Sequence, residues 1–315
     1  MSQVRTRSWH SRGSLGLLAL ALLLAQGVMV SSVRPASGQQ PTTPPEDIVK
    51  EARISKWQPV FRGIELCEAS IEKPRPLQVR AARIDLREPG IRFFVTPSNG
   101  DAPGEANGRR STQFMTEFKV QLAINASFFG GKFEVGAEQD VVGLSMSNGD
   151  MYSEPDHRAA LLIGKDNRAW IAQPPKDVDK AYNAVAGDTI IVQEGRNIVD
   201  REARDGFTGG LHPRTAAGIT RDGRYLILMT TDGRQAGYSE GTSKAETAEW
   251  LIKLGVWVGL NLDGGGSTNL VIEGPDGQPK LINHPPSTWL RACANHIGVY
   301  AKPLPKRPAT TTAPS

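Results

Sequence analysis

Cysteine is almost missing from this chain: Cys67 and Cys293 are the only two in 315 residues. Two cysteines make a poor zinc site. In an oxidising compartment they form one disulfide between the first and last strands; the alternative is a pair of buried free thiols. Aromatic residues are also scarce, at 6%, whereas glycine and proline number 33 and 22. That balance suits many short strands joined by tight turns. Charge of one sign is lacking too. The formal net charge is +4, part of it at the two ends, and no basic stripe with interleaved aromatics is present, which excludes nucleic acid as a partner. Only one apolar run is long, Leu15 to Val30, and Gln26 and Gly27 interrupt it. No internal repeat is found.

That run has a purpose of its own. Arg5, Arg7 and Arg12 precede it and the small residues Ala36, Ser37 and Gly38 follow, the order of a secretory signal peptide over residues 1–38. An uncleaved anchor is the alternative, although the run is near the lower length limit for a span. No cysteine follows it to carry a lipid. The protein is therefore expected to be secreted or periplasmic, touching membrane only through the signal peptide. Residues 39–56 read as a Pro/Thr-containing linker and 303–315 as a disordered Pro/Thr tail, both too poor in apolar residues to offset ordering entropy. Between them, residues 57–302 form one domain of about 250 residues, enough for a single large core.

Alternation of apolar and polar residues bounded by Gly and Pro predicts strands at Phe61–Ile71, Gln78–Leu86 and Ile91–Thr96. Further strands are predicted at Val141–Met146, Ala159–Ile163, Arg168–Ala172 and Asp188–Gln193. The run Val120–Asn125 reads as a central strand. Arg214–Thr220 and Tyr225–Thr231, joined by Asp222-Gly223, read as a hairpin with Arg214 at its entrance and Asp232 at its exit. Ser111 is expected to cap a short helix through Phe118. Ser243 and Glu246 make a capping box for a helix over Lys244–Leu254, which Gly255 ends. A buried strand, Val256–Leu262, follows, and Asn269–Glu273, Lys280–Ile282 and Ala294–Ala301 complete the set. The expected fold class is α+β: a mixed, largely antiparallel sheet core with packed helices, in a single domain.

The sharpest chemical signal is Asn261-Leu262-Asp263-Gly264-Gly265-Gly266-Ser267-Thr268. A carboxylate at the end of a buried strand is costly without a task or a partner. Three glycines beside it clear the space around the acid and offer N–H groups that can form an anion-binding nest; Ser267 and Thr268 add hydroxyls. No lysine follows, so the segment is not a Walker loop. Arg214, in His212-Pro213-Arg214-Thr215-Ala216-Ala217-Gly218, brings a fork suited to two phosphate oxygens. His212 is a weaker candidate as a proton donor. Asp232 gains interest because its strand pairs with the one bearing Arg214. Asn125 ends another buried strand and, with Phe129, is a candidate to meet a sugar. Arg291 and Asn295 flank Cys293 near the last strand and are placed to reach the same end of the sheet. A Ca²⁺ held by Asp263 and neighbouring carbonyls stays open, without EF-hand spacing to support it.

These blocks, Asn125–Gly130, His212–Gly218, the helix after Ser243, Asn261–Thr268 and Arg291–Val299, occur in the order found in the phosphodiester glycosidase family, which the chain resembles from about Phe61 to Lys302. The departures are small: Ala126-Ser127 stands where the family often has glycine, and Thr268-Asn269 where it often has Ser-Thr. The resemblance implies an exported hydrolase acting on the glycosidic bond of a sugar-1-phosphodiester, or on a phosphate-containing glycan or envelope polymer. It implies Asp263, Asp232 and Arg214 as catalytic residues. Asn125, Phe129, Thr215, Gly264, Gly265, Gly266, Ser267, Thr268, Arg291 and Asn295 are then substrate contacts. No cofactor is required by this reading. A non-catalytic glycan-binding module and a phosphodiesterase cutting the P–O bond are the competing readings.

Overall fold

The computed structural model describes residues 44–200, 205–287 and 290–305. The expected signal peptide, the first part of the expected linker and residues 306–315 lie outside the described residues.

The hairpin Arg214–Thr220 with Tyr225–Thr231 forms in the expected register, Arg214 opposite Thr231. It sits near the middle of a nine-stranded sheet, flanked by Leu77–Asp85 on one side and Val256–Asn261 on the other. Alternation decides which face each side chain covers. Leu226 and Leu228 enter the main core, while Ile227 and Met229 enter a second cluster on the opposite face. That second face is closed by the helix Lys244–Lys253, through Ala248, Trp250 and Leu251. The helix starts where its capping box predicts, with Ser243 and Glu246 each accepting from the other's backbone N–H.

The main core is shared by three sheets. Besides the nine-stranded one, it takes Leu161, Ile163 and Val185 from a five-stranded sheet around Ala160–Ile163, and Leu122, Ile124, Leu270, Ile297 and Val299 from another. In the latter, Leu122–Asn125 lies between Leu270–Glu273 and His296–Tyr300, so the expected central strand is one. The helix Ser111–Phe118 covers its outer face with Phe114 and Met115.

Four expectations change. Every strand pair among the described residues is antiparallel, so the sheet core is not mixed. Helices are few, and the α+β label holds only in that two of them pack on sheet faces. Ser111 is the first helical residue and not the cap, a place taken by Arg110. Cys67 and Cys293 are free, buried thiols and not a disulfide. Cys67 lies in Ile64–Ile71 of the nine-stranded sheet, whereas Cys293 bridges to Arg109 outside that sheet. The first and last strands belong to different sheets, so nothing brings the two sulfurs together.

Candidate functional site

Sheet register assembles the site. Val256–Asn261 runs antiparallel to Arg214–Thr220, with Asn261 opposite Ala216. Carried two residues further, past the Leu262 N–H bond to the Thr215 carbonyl at 2.9 Å, that register sets Asp263 across from Arg214. The chain then leaves the first sheet and enters Leu270–Glu273 of the third, so Asp263-Gly264-Gly265-Gly266-Ser267 forms the seam between two sheets. Asp263 itself donates its N–H to the Ala126 carbonyl at 2.9 Å. A hollow of about 210 Å³ opens at this seam, lined by Asp263, Gly264 to Gly266, Arg214, Arg234, Arg291, Phe128 and Phe207 among others.

The hollow sets one acid among three guanidiniums. Desolvation pushes the half-buried Asp263 carboxyl up to about 6, opposed by Ser267, the Arg291 charge and the Gly264 N–H. Arg214 is buried, and three carbonyls fix its fork: Thr242 accepts from Nε at 3.0 Å, and Phe207 and Gly210 accept from one terminal nitrogen at 2.7 and 3.1 Å. Burial lowers its pKa to about 10, which leaves it charged at neutral pH. Arg291 donates to Ser267 Oγ at 3.3 Å and stacks over Phe133. Among the described residues, none of these three arginines is ion-paired to a carboxylate within 4.0 Å.

Arg234 was not singled out from the sequence, although it follows the Asp232-Gly233 turn. Its backbone sits at φ 61, a conformation costly for a side chain other than glycine and concentrated at functional places. It is positioned by His212. The Gly206 carbonyl, 2.7 Å from His212 Nε2, can only accept, so Nε2 carries the hydrogen and Nδ1 accepts from Arg234 at 3.1 Å. Desolvation, with help from Arg214 and Arg234, lowers the His212 pKa. His212 is thus a neutral support for an arginine and not a proton donor.

The glycines serve space more than donation. A Cβ on Gly264 would lie 2.6 Å from the Pro213 carbonyl, and one on Gly266 would lie 2.9 Å from Arg291. Gly265 adopts φ +61. Its N–H goes to Pro213, and those of Ser267 and Thr268 close a 3₁₀ turn on Gly264 and Gly265. The Gly264 N–H serves the Asp263 carboxyl. The expected nest is therefore largely spent on the loop itself, and the positive charge of the hollow comes from arginine.

Several expected contacts belong to the frame instead. Asn125 is fully buried; its amide donates to the Asp263 carbonyl at 2.6 Å and accepts from Thr215 Oγ1 at 2.9 Å and the Asn269 N–H at 3.0 Å. It ties three strand ends together and has no acceptor capacity left for a sugar. Thr215, Ser267, Thr268 and Asn295 are likewise buried, and Asn295 donates to Ser145 and Tyr152 away from the hollow. Phe129 packs edge-on to Phe133, and its neighbour Phe128 lines the hollow in its place. Asp232 does not line it either. Its carboxylate accepts from Asn283, the His284 N–H and Tyr238, and burial raises its pKa. It is a buried brace for the 283–284 segment, and the hollow holds one carboxylate, not two. No group of three or more His, Cys, Asp and Glu side chains able to hold a metal occurs among the described residues. Three guanidiniums around one acid do not fit Ca²⁺, which seeks several oxygen ligands.

The fold and site define a β-sheet protein with a hollow at a junction between sheets, lined by one acid and three arginines. The phosphodiester glycosidase family model matches residues 118–300, and the chain belongs to that family. Its fold is similar to the zebrafish N-acetylglucosamine-1-phosphodiester alpha-N-acetylglucosaminidase catalytic domain auto-inhibited by its pro-peptide. That match is at TM-score 0.59 and 17% identity, over 80% of this chain and 89% of that one. A candidate exported protein of Burkholderia pseudomallei K96243 matches at TM-score 0.54 and 15% identity, over 71% of this chain and 74% of that one. A curated relative, the flagellar P-ring protein of Nitrobacter hamburgensis, is 27% identical over 207 residues, 60% of this chain and 50% of its own. The chain thus spans about half the length of that relative.

Proposed function

We propose that this protein is an exported hydrolase that cleaves the glycosidic C–O bond of a sugar-1-phosphodiester. One observation carries the reading: Asp263 and Arg214, 49 residues apart in sequence, line the same glycine-floored hollow with Arg234 and Arg291. The phosphate is bound by the guanidiniums, and Arg214 offers the terminal nitrogen that its three carbonyl partners leave unused. As the C–O bond breaks, the departing oxygen takes the bonding pair, and the phosphate monoester leaves as an anion already stabilised by positive charge. Such a leaving group is a weak base, so a second carboxyl acting as general acid is unnecessary. Asp263 faces the anomeric carbon, as nucleophile or as base to the attacking water, and is largely ionised at neutral pH. Phe128 and Phe207, an edge-to-face pair with centroids 5.9 Å apart, give the sugar an apolar wall. Export rests on the N-terminal charge, apolar run and small residues; among the described residues no helix is long and apolar enough to cross a membrane.

A screen of sugar-1-phosphodiesters for released sugar tests the activity, and hydrolysis in ¹⁸O-water tests the bond. Label in the sugar is expected. Label in the phosphate would mean P–O cleavage and would overturn the assignment, and ligand binding without turnover of any diester would leave a glycan-binding module.

A further inference from the structure

A second depression, of about 470 Å³, adjoins the hollow and shares Gly266 and Arg291 with it. Its remaining lining is the apolar Phe133, Val135 and Leu290 together with Arg110, Glu134 and Ser287. Phe133 and Val135 are 54% and 48% exposed, two of only six large hydrophobic side chains so exposed among the described residues. Contiguous exposed apolar surface beside a polar site marks a place of contact. This surface is also fixed in place. The Phe133 carbonyl accepts from the Ala292 N–H at 3.3 Å. Gln139 donates to both the Lys132 and Ala292 carbonyls, and the Gly136 N–H reaches the Gly108 carbonyl at 2.8 Å. The Arg291 guanidinium lies 3.9 Å from the Phe133 ring centroid, so one cation borders both the acid's hollow and the apolar shelf.

A phosphodiester has two substituents on phosphorus. With the sugar at Asp263 and the phosphate at Arg291, the second substituent leaves past Gly266, where any Cβ would press on that arginine at 2.9 Å. We propose that the shelf takes the hydrocarbon chain of a long-chain alcohol esterified to the sugar phosphate, so that the substrate is a lipid-linked sugar phosphodiester. This rests on the function assigned above. A second sugar laid on Phe133, Val135 and Leu290 would bring hydroxyls that these three side chains cannot bond, leaving polar groups uncompensated on that side of the depression. A hydrocarbon chain gains from each methylene it removes from water, and Arg110 and Arg291, which line the same depression, complement the anion at its head.

Competition against a fluorescent decyl phosphodiester, below its micelle concentration and with the full chain, reads the shelf without needing turnover. Methyl decyl phosphate is expected to displace the probe at a concentration at least tenfold lower than methyl ethyl phosphate. Val135→Asp and the neutral Val135→Ser, both at an exposed position, are expected to cut that ratio below threefold; an added charge acts on both ligands alike, so the ratio isolates the chain. An unchanged ratio in both variants, or equal displacement by the two alkyl esters, would overturn the proposal. A preserved chain preference with no turnover of any diester would sink the catalytic reading and keep the shelf.

Discussion

Replacing Asp263 by Asn is expected to abolish turnover and yet stabilise the fold. Desolvation raises its carboxyl from 3.8 to about 6. At about 1.4 kcal/mol per pH unit, holding the ionised form in the hollow costs up to about 3 kcal/mol. The folded protein binds the proton more tightly than the unfolded chain, so this group lowers stability as pH rises from about 4 to about 6, and the full cost is present above that window. Asparagine keeps the shape and carries no charge. For a domain of this size, about 1 kcal/mol corresponds to about 2–4 °C in Tm, so a rise of several degrees is expected at pH 8. Near pH 3.5 wild type and variant should melt within about 1 °C of each other, because the acid is then mostly protonated in both states. Calorimetry across this pH range checks both ends. A variant no more stable than wild type at pH 8 would mean that the carboxylate is comfortably paired, and the argument that it is held charged for chemistry would fail. The same titration makes wild-type activity rise as pH increases through about 6.

Arg214→Lys should lower kcat/KM by about 10²–10³ through loss of a charge-stabilising donor, and should cost about 1–3 kcal/mol by leaving carbonyls of Phe207, Gly210 and Thr242 without partners; steady-state kinetics and denaturant titration separate the two. Asp232→Asn should destabilise by about 1–3 kcal/mol, since an amide cannot accept from Asn283, His284 and Tyr238 together. Its activity per folded molecule should stay near wild type, and a large loss of kcat at full folding would restore Asp232 to the catalytic machinery. Adding a reductant should leave Tm unchanged, because both thiols are free and buried; a drop of several degrees would reveal a disulfide.

Local chemistry wrote much of the fold into the chain. The hairpin at 214–231 follows from two apolar runs around Asp222-Gly223, and the helix at 244–253 from its Ser243–Glu246 box and Gly255, because turns and caps are decided by residues within a few positions. The Asp263-Gly264-Gly265-Gly266 segment announced itself for the same reason: a lone acid beside missing side chains is visible without coordinates. Arg214 was legible as the entrance of its strand. What the sequence by itself determined, then, is which strand ends carry charge.

The tertiary structure alone decided which of those ends meet. Alternation along Tyr225–Thr231 does not tell which turn residue faces the hollow, so Asp232 was expected at the site while its neighbour Arg234, turned by a positive φ, lines it instead. Asn125 and Thr215 have the right polarity for a ligand, but sheets converge there, and a converging frame must satisfy its own buried donors and acceptors first. The nest's N–H groups are spent on closing their own loop, and the positive charge of the hollow comes from three arginines. Cys67 and Cys293 stayed apart because first and last strands joined different sheets. Sheet pairing is set by long-range burial and register, and no local signal records it.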